Sequence, residues 1–301
     1  MVKAHRGQYP VTKNESIADG IYELCFEAPD IARAANAGQF ANVYLPGGAM
    51  LLPRPISIAD VRGDVVTLVY AIVGGGTKAL AGIKAGARLE IMGPLGTGYF
   101  DYAGSPTDAA PSGAFENPFT ALLVGGGVGA PPLHFAARRI RAARRGRVKI
   151  VACLGFRGHP WYREEFERVC DEVLLASEAE GAAAFHGNVA HLLDKSFPYK
   201  EAGSPQANGQ ALPSLALACG PRPMLKAASD FCAAKNITLR VSLEERMGCG
   251  YGACAGCTCK TRLLGDVLKP QNGPNMPNAE GFIKKKVCAH GPVFWADEVV
   301  W

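Results

Sequence analysis

Long apolar runs are missing from this chain. No uninterrupted stretch approaches the roughly 18 residues of a membrane-spanning helix. The opening residues MVKAHRGQYP carry no apolar segment of the sort a secretory leader needs. The expectation is a cytoplasmic protein with no membrane partner. Strong charge of one sign is also lacking, since 32 Lys and Arg stand against 27 Asp and Glu, a net charge of +5. The basic clusters, Arg138-Arg139 to Arg147 and Lys284 to Lys286, are local and have no interleaved aromatics, so nucleic acid is not expected as a partner. No internal repeat occurs. A strict G-x-G-x-x-G is absent and no acid–base dyad stands out, so no catalytic residue is assigned.

Cysteine is abundant, with 10 residues. Without an export signal, that number favours metal and redox use over disulfides. Cys249, Cys254 and Cys257 in GCGYGACAGC follow C-x4-C-x2-C, the spacing of plant-type 2Fe–2S proteins, and Cys288 in KKKVCAHGP is the candidate fourth metal ligand. Gly248, Gly250, Gly252 and Gly256 allow a tight loop that turns N–H groups toward the sulfurs. Zinc is the weaker reading, because only Cys254 and Cys257 have the close C-x2-C spacing. Cys259 lies two residues past Cys257 and is read as a buried or supporting thiol. Cys25, Cys153, Cys170 and Cys232 read as small core residues.

At 301 residues the chain has room for two or three domains. Residues 1–102 are rich in short apolar stretches (Ile21–Phe26, Ala41–Leu45, Val65–Val73, Arg88–Met92) between Gly, Pro and Asp, which predicts a small antiparallel β-barrel. Residues 118–241 alternate strands and helices, which predicts an α/β domain with a parallel sheet. The predicted elements there are strands at Ala121–Val124, Val148–Gly155, Glu172–Ala176, Leu215–Cys219 and Ile237–Val241, with helices to residue 145 and over Trp161–Cys170. Residues 242–301 form a small C-terminal cysteine domain. Segments 103–117, 200–213 and 268–280 read as insertions or boundaries.

Two groups of residues suggest further cofactors. Arg54 in Arg54-Pro55-Ile56-Ser57 suits a flavin diphosphate, and Ser57 suits the ring or ribityl chain. Gly74-Gly75-Gly76-Thr77, before a helix expected from Lys78, offers backbone N–H groups to the same pyrophosphate. The plain alternatives are a surface arginine and an ordinary glycine turn. Gly125, Gly126, Gly127 and Gly129 follow a strand and open a helix, the context for a dinucleotide phosphate. Cys219-Gly220-Pro221 ends another strand at the same sheet edge and leaves room for a nicotinamide, or else is a buried strand-to-helix turn.

The segments RPIS, GGGT, LLVGGGVGAPPL, CGPRPM, SLEERMGCGYGACAGCTC and KVCAHGPVF occur in that order between residues 54 and 294. This succession resembles the electron-transfer subunits of class B dihydroorotate dehydrogenase, ferredoxin reductase-like flavoproteins, over nearly the whole chain. The resemblance implies an FAD-binding barrel, a nucleotide-binding α/β domain and a 2Fe–2S domain. It adds the strand residues Val69, Tyr70 and Ala71, with Pro55 and Ile56, to the FAD site. It implies that electrons from dihydroorotate, oxidised in an FMN-containing catalytic subunit, pass through the cluster and FAD to NAD+, in a heterotetramer of two of each subunit. Departures are the 30 residues between Cys257 and Cys288, and His290 where the family tends to carry an acid. An NAD(P)H-linked iron–sulfur flavoprotein reductase serving a sulfide- or ferredoxin-linked partner is the alternative. A cluster-bearing sensor would not need the flavin residues. Lys284–Lys286 and Phe294-Trp295 are candidates for a partner-facing rim, and the aromatics equally for the small domain's own core.

Overall fold

The computed structural model describes residues 4–47, 50–100, 119–144, 148–198, 212–262 and 281–301. The segments read as inserts, 103–117, most of 200–213 and 268–280, lie outside the described residues. The chain divides into two compact units, residues 1–98 with 241–301, and residues 99–240.

The first unit opens with β1 (His5–Ala18), β2 (Ile21–Glu27), β3 (Phe40–Tyr44), β4 (Arg54–Arg62), β5 (Val65–Ala71) and β6 (Arg88–Leu95). They close into an antiparallel barrel of order β1-β2-β5-β4-β3-β6, as expected. Closure depends on β1, whose length was not legible because Gly7, Pro10 and Asn14-Glu15-Ser16 interrupt its apolar alternation. Its first half, from His5 to Pro10, pairs with β6, and its second half, from Val11 to Ala18, pairs with β2. One strand thereby serves two neighbours and removes both sheet edges. Leu24, Phe26, Ile58, Val66, Leu68, Leu89 and Ile91 are fully or nearly fully buried. Each such side chain contributes about 1.5–3 kcal/mol. Two short helices, α1 (Pro29–Ala34) and α2 (Gly75–Ala81), accompany the barrel.

In the second unit, β7 (Phe119–Gly126), β8 (Val148–Phe156), β9 (Glu172–Ser177), β10 (Phe185–His186), β11 (Leu215–Cys219) and β12 (Thr238–Ser242) lie in the order β10-β9-β8-β7-β11-β12. The pairs β10·β9, β9·β8, β8·β7 and β7·β11 are parallel. Ala121 to Val124 and Ala216 to Ala218 are wholly buried, the continuous apolar run that a sheet covered on both faces requires. Helices α3 (Ala130–Ala143), α4 (Arg163–Glu167), α5 (Val189–Ser196) and α6 (Arg222–Ala234) fill the intervals. Helix α4 is shorter than the predicted Trp161–Cys170. Tyr162 has φ 69°, in the left-handed region, so the helix starts only after it. The aromatic cluster of Phe156, Trp161, Tyr162, Phe166 and His134, with ring centroids 5.7–6.4 Å apart, sets that turn.

The chain returns to the first unit with β13 (Thr258–Thr261), β14 (Ile283–Lys286), α7 (Val287–His290) and β15 (Val293–Trp295). Strands β13 and β14 form an antiparallel pair. Thr97 N–H at the end of the barrel donates to Gly291 O at 2.6 Å. Among the described residues, no helix is long and apolar enough to cross a membrane.

Candidate functional site

Strands β4 and β5 run antiparallel with Ile58 opposite Leu68, which brings the start of β4 and the end of β5 to one end of the barrel. Arg54 and Ala71 therefore stand near each other, and the loop after Ala71 turns back over β4. The guanidinium of Arg54 lies against Gly76. A Cβ there would sit 2.8 Å from Arg54 Cζ, so any side chain at 76 would displace the guanidinium from this position. Arg54 Nη2 donates to Leu52 O at 2.7 Å, while its buried Nε has no partner. An arginine with one satisfied arm and one orphaned N–H group is the donor set an anionic diphosphate oxygen would complete.

Thr77 shapes this loop. Its hydroxyl receives Val73 N–H at 2.9 Å and donates to Gly74 O at 3.2 Å, holding the first turn of α2, which begins at Gly75 rather than Lys78. Ser57 pairs with Phe40 in the ladder between β4 and β3. Pro55 and Ile56 lie between Arg54 and Ser57 on β4, opposite Asn42 and Ala41. Tyr70 is committed to the wall. It stacks on Tyr22 at 5.8 Å and donates to Asn14 Oδ1 at 3.0 Å, and burial pushes its phenol up to about 12. Val69 beside it is buried. Leu51, Leu52 and Val73, flanking Arg54 and the glycine loop, are exposed at 91%, 54% and 84%, an apolar rim that the sequence reading did not single out.

Asn14 was also missed. Its Nδ2 donates to Leu80 O and Ile83 O at 2.8 and 2.9 Å, tying the C-terminal end of α2 to β1. The signal was a lone Asn amid strand residues.

In the second unit, parallel register places Cys219 directly opposite Gly125 at the C-terminal edge of the sheet. Gly129 packs on the backbone of Cys219, where a Cβ would meet its carbonyl carbon at 2.5 Å. Gly126 and Gly220 both abut Met224 Sδ, at 2.6 and 3.0 Å from a hypothetical Cβ. Gly127, at φ 53°, faces open space. The glycines expected to take the dinucleotide phosphate and the Cys219-Gly220 turn expected to leave room for the nicotinamide thus meet at one turn. Ligand would meet bare backbone there, as close approach to a pyrophosphate requires.

The cysteine loop lies in the first unit. Cys254 N–H points to Cys249 Sγ at 3.4 Å and Cys288 N–H to Cys257 Sγ at 3.5 Å. Among the described residues no three metal-ligating side chains converge as a one-ion site would need. The N–H···S contacts group the four cysteines in twos, Cys249 with Cys254 and Cys257 with Cys288, a grouping that would suit a two-iron centre with two thiolates on each iron. Burial opposes ionisation of Cys249, yet N–H groups of Cys254, Tyr251 and Ala253 bring its thiol down to about 6. Burial and the neighbouring Cys257 push the Cys288 thiol up to about 12. Such donors favour thiolate at one end of the site, and bound iron would supply the charge that ionises the other. Helix α7 is held against the loop by Val287 N–H to Cys257 O at 2.8 Å and Lys286 Nζ to Gly252 O at 2.6 Å. Cys259 is buried in β13 opposite Lys285.

Asn42 on β3, unremarked in the sequence, connects loop and barrel. Fully buried, it donates from Nδ2 to Cys249 O at 2.8 Å. The basic run divides its tasks: Lys285 pairs with buried Glu298 at 2.6 Å, Lys286 holds Gly252, and Lys284 is exposed. Phe294 is wholly buried and belongs to the core, so a rim built on it is excluded, and Trp295 is partly exposed.

Residues 244–269 match the family described as the iron-sulfur cluster binding domain of dihydroorotate dehydrogenase B. Among solved structures, an NADH-dependent reduced ferredoxin–NADP oxidoreductase studied for flavin-based electron bifurcation superposes with a TM-score of 0.73 at 23% identity, over 98% of this chain and 90% of that one. That likeness establishes a ferredoxin reductase-like fold. The dihydroorotate dehydrogenase B (NAD(+)) electron transfer subunit of Caldanaerobacter subterraneus is 33% identical over 291 residues, 97% of each chain. That of Geobacillus thermodenitrificans is 35% identical over 301 residues, 98% of each. With such identity sustained from end to end, the chain belongs to the family of dihydroorotate dehydrogenase B electron transfer subunits.

Proposed function

We propose that this chain carries electrons from dihydroorotate, oxidised in a separate FMN-containing catalytic subunit, to NAD+ in pyrimidine biosynthesis. The assembly is a cytoplasmic heterotetramer of two of each subunit. The observation that carries the reading is the grouping of Cys249 with Cys254 and of Cys257 with Cys288 by N–H···S contacts, in one compact unit with Arg54 and its glycine loop. When bound, a 2Fe–2S cluster exchanges single electrons, FAD exchanges one or two, and NAD+ takes two as hydride.

The protein's residues position these groups. Cys249, Cys254, Cys257 and Cys288 hold the cluster. Arg54 presents its orphaned Nε to the FAD diphosphate, and Gly76 keeps the space against that guanidinium clear. Ser57 and the edge Val69–Ala71 line the flavin side of the barrel. Gly125, Gly126, Gly127 and Gly129 bring bare backbone to the NAD+ pyrophosphate, with Cys219-Gly220 beside the nicotinamide. No side chain of this chain is given an acid–base role, because the carbon that loses hydrogen is in the partner. The relatives above 30% identity are named for NAD(+)-linked dihydroorotate dehydrogenase B, which favours this reading over a reductase for a sulfide- or ferredoxin-linked partner.

The purified chain should reduce artificial acceptors with NADH yet leave dihydroorotate untouched. Combined with the catalytic subunit, it should confer NAD+-dependent dihydroorotate oxidation. Dihydroorotate turnover by the isolated chain, or failure to bind the catalytic subunit in a pull-down, would sink the proposal.

A further inference from the structure

Strand β3 is buried on both faces, and Ala41, Asn42 and Val43 all have 0% exposure. An amide in that wall is costly unless its polar atoms are used. Nδ2 of Asn42 is used, donating to Cys249 O at 2.8 Å, whereas Oδ1 is buried without any partner. Packing alone would favour an apolar residue here, so the donated bond is what accounts for the Asn. The acceptor is a carbonyl, which fixes the amide nitrogen on the loop side. The fit is close. Gly250 has φ 76°, and a Cβ on it would lie 2.5 Å from Asn42 Oδ1. Asn42 also stands opposite Pro55 in the ladder, one rung from the Val43–Arg54 pair. The same two rungs therefore carry the arginine of the flavin site and the clamp on the cysteine loop.

We propose that Asn42 is a positioning residue for the cluster: its amide clamps the Cys249–Gly250 peptide to the barrel and makes the surroundings of the Cys249 sulfur more electropositive. This rests on Cys249 being a cluster ligand. An N–H group donated to the peptide that carries the ligand withdraws electron density from the site and favours the reduced, more negative cluster. Removing it disfavours reduction.

The test is a redox titration of the full-length, cofactor-loaded chain, following the spectroscopic signal of the reduced cluster, in Asn42→Leu and Asn42→Asp. Leu keeps the shape and removes the donor. Asp keeps the shape and, buried with no cation beside it among the described residues, stays a neutral acid whose O–H can still donate to Cys249 O. The expected result is an equilibrium for cluster reduction about tenfold less favourable in Asn42→Leu, about 59 mV for one electron, and one closer to the parent in Asn42→Asp, which retains a donor. Iron and flavin contents should stay as in the parent protein. Loss of iron with flavin retained would also support the clamp. Equilibria within about twofold of the parent in both variants, at full iron content, would overturn it. Absence of iron from the parent protein would overturn both this inference and the cluster reading beneath it.

Discussion

The guanidinium of Arg54 occupies the space a side chain on Gly76 would need, with Cζ 2.8 Å from the Cβ position, so a residue larger than glycine at 76 displaces the guanidinium. Arg54→Ala should lower the flavin-to-protein ratio by about tenfold or more, since a charge-assisted contact contributes about 1.5–3 kcal/mol. Iron content should be preserved. Gly76→Ala should produce the same selective loss by pushing the guanidinium aside. Full flavin occupancy in both variants, read from the visible absorbance band, would remove Arg54 from the site.

The two-pair arrangement makes an asymmetric forecast for the cysteines. Cys288→Ser should lose most of the iron, because it removes the thiol proposed as the fourth ligand while leaving the N–H contact to Cys257 Sγ in place. Cys259→Ser should keep it, since that thiol is buried in β13 opposite Lys285. Iron and acid-labile sulfide assays decide, and the reverse pattern would transfer the fourth ligand to Cys259.

Gly129→Ala sets a methyl group against the backbone of Cys219 and Gly220, which cannot step aside as a flexible side chain could. NADH-dependent flavin reduction should fall about tenfold or more, while flavin and iron contents stay near the parent values. Rapid-mixing absorbance measures this directly, and an unchanged rate would show that the turn does not contact the nicotinamide nucleotide.

Asp171 joins two elements of the second unit. Its Oδ2 accepts Ile150 N–H at 2.7 Å and Arg141 Nη2 at 2.6 Å. Burial raises the carboxyl pKa, but these donors outweigh it and leave the group below its ordinary value of 3.8. A carboxylate whose folded pKa is depressed stabilises the protein above the unfolded value and loses that contribution as pH falls through the folded one. Asp171→Asn should therefore cost about 0.5–1 kcal/mol at neutral pH, because the carboxylate is 43% exposed and screened by solvent. The gap should close as pH falls below 3.8 and through the lower folded value. Denaturation of both proteins across that range tests it, and a gap independent of pH would refute the assignment.

Asn14→Ala should loosen α2, which loses the side-chain donor to Leu80 O and Ile83 O, together with the Tyr70 hydroxyl's acceptor. Faster hydrogen exchange confined to residues 74–83 is expected, with a stability loss of about 1–3 kcal/mol. Exchange at the parent rate there would mean that α2 is held by other contacts.

Chemistry carried by neighbours in the chain was legible in the sequence alone. The C-x4-C-x2-C spacing, the glycine turns and the apolar runs of β7, β8 and β11 are local patterns, because loop reach and strand period are set by adjacent residues. The barrel and parallel sheet followed from those periods. Tertiary structure decided whatever depends on residues far apart. It put Asn42 on Cys249, 207 positions away. It paired Cys257 with Cys288, set Arg54 on Gly76, and turned Phe294 into the core. A polar residue in a strand has the same sequence signature whether it faces solvent or clamps a loop. Only the closed barrel, by burying Asn42 completely and leaving one carbonyl within its reach, separates the two.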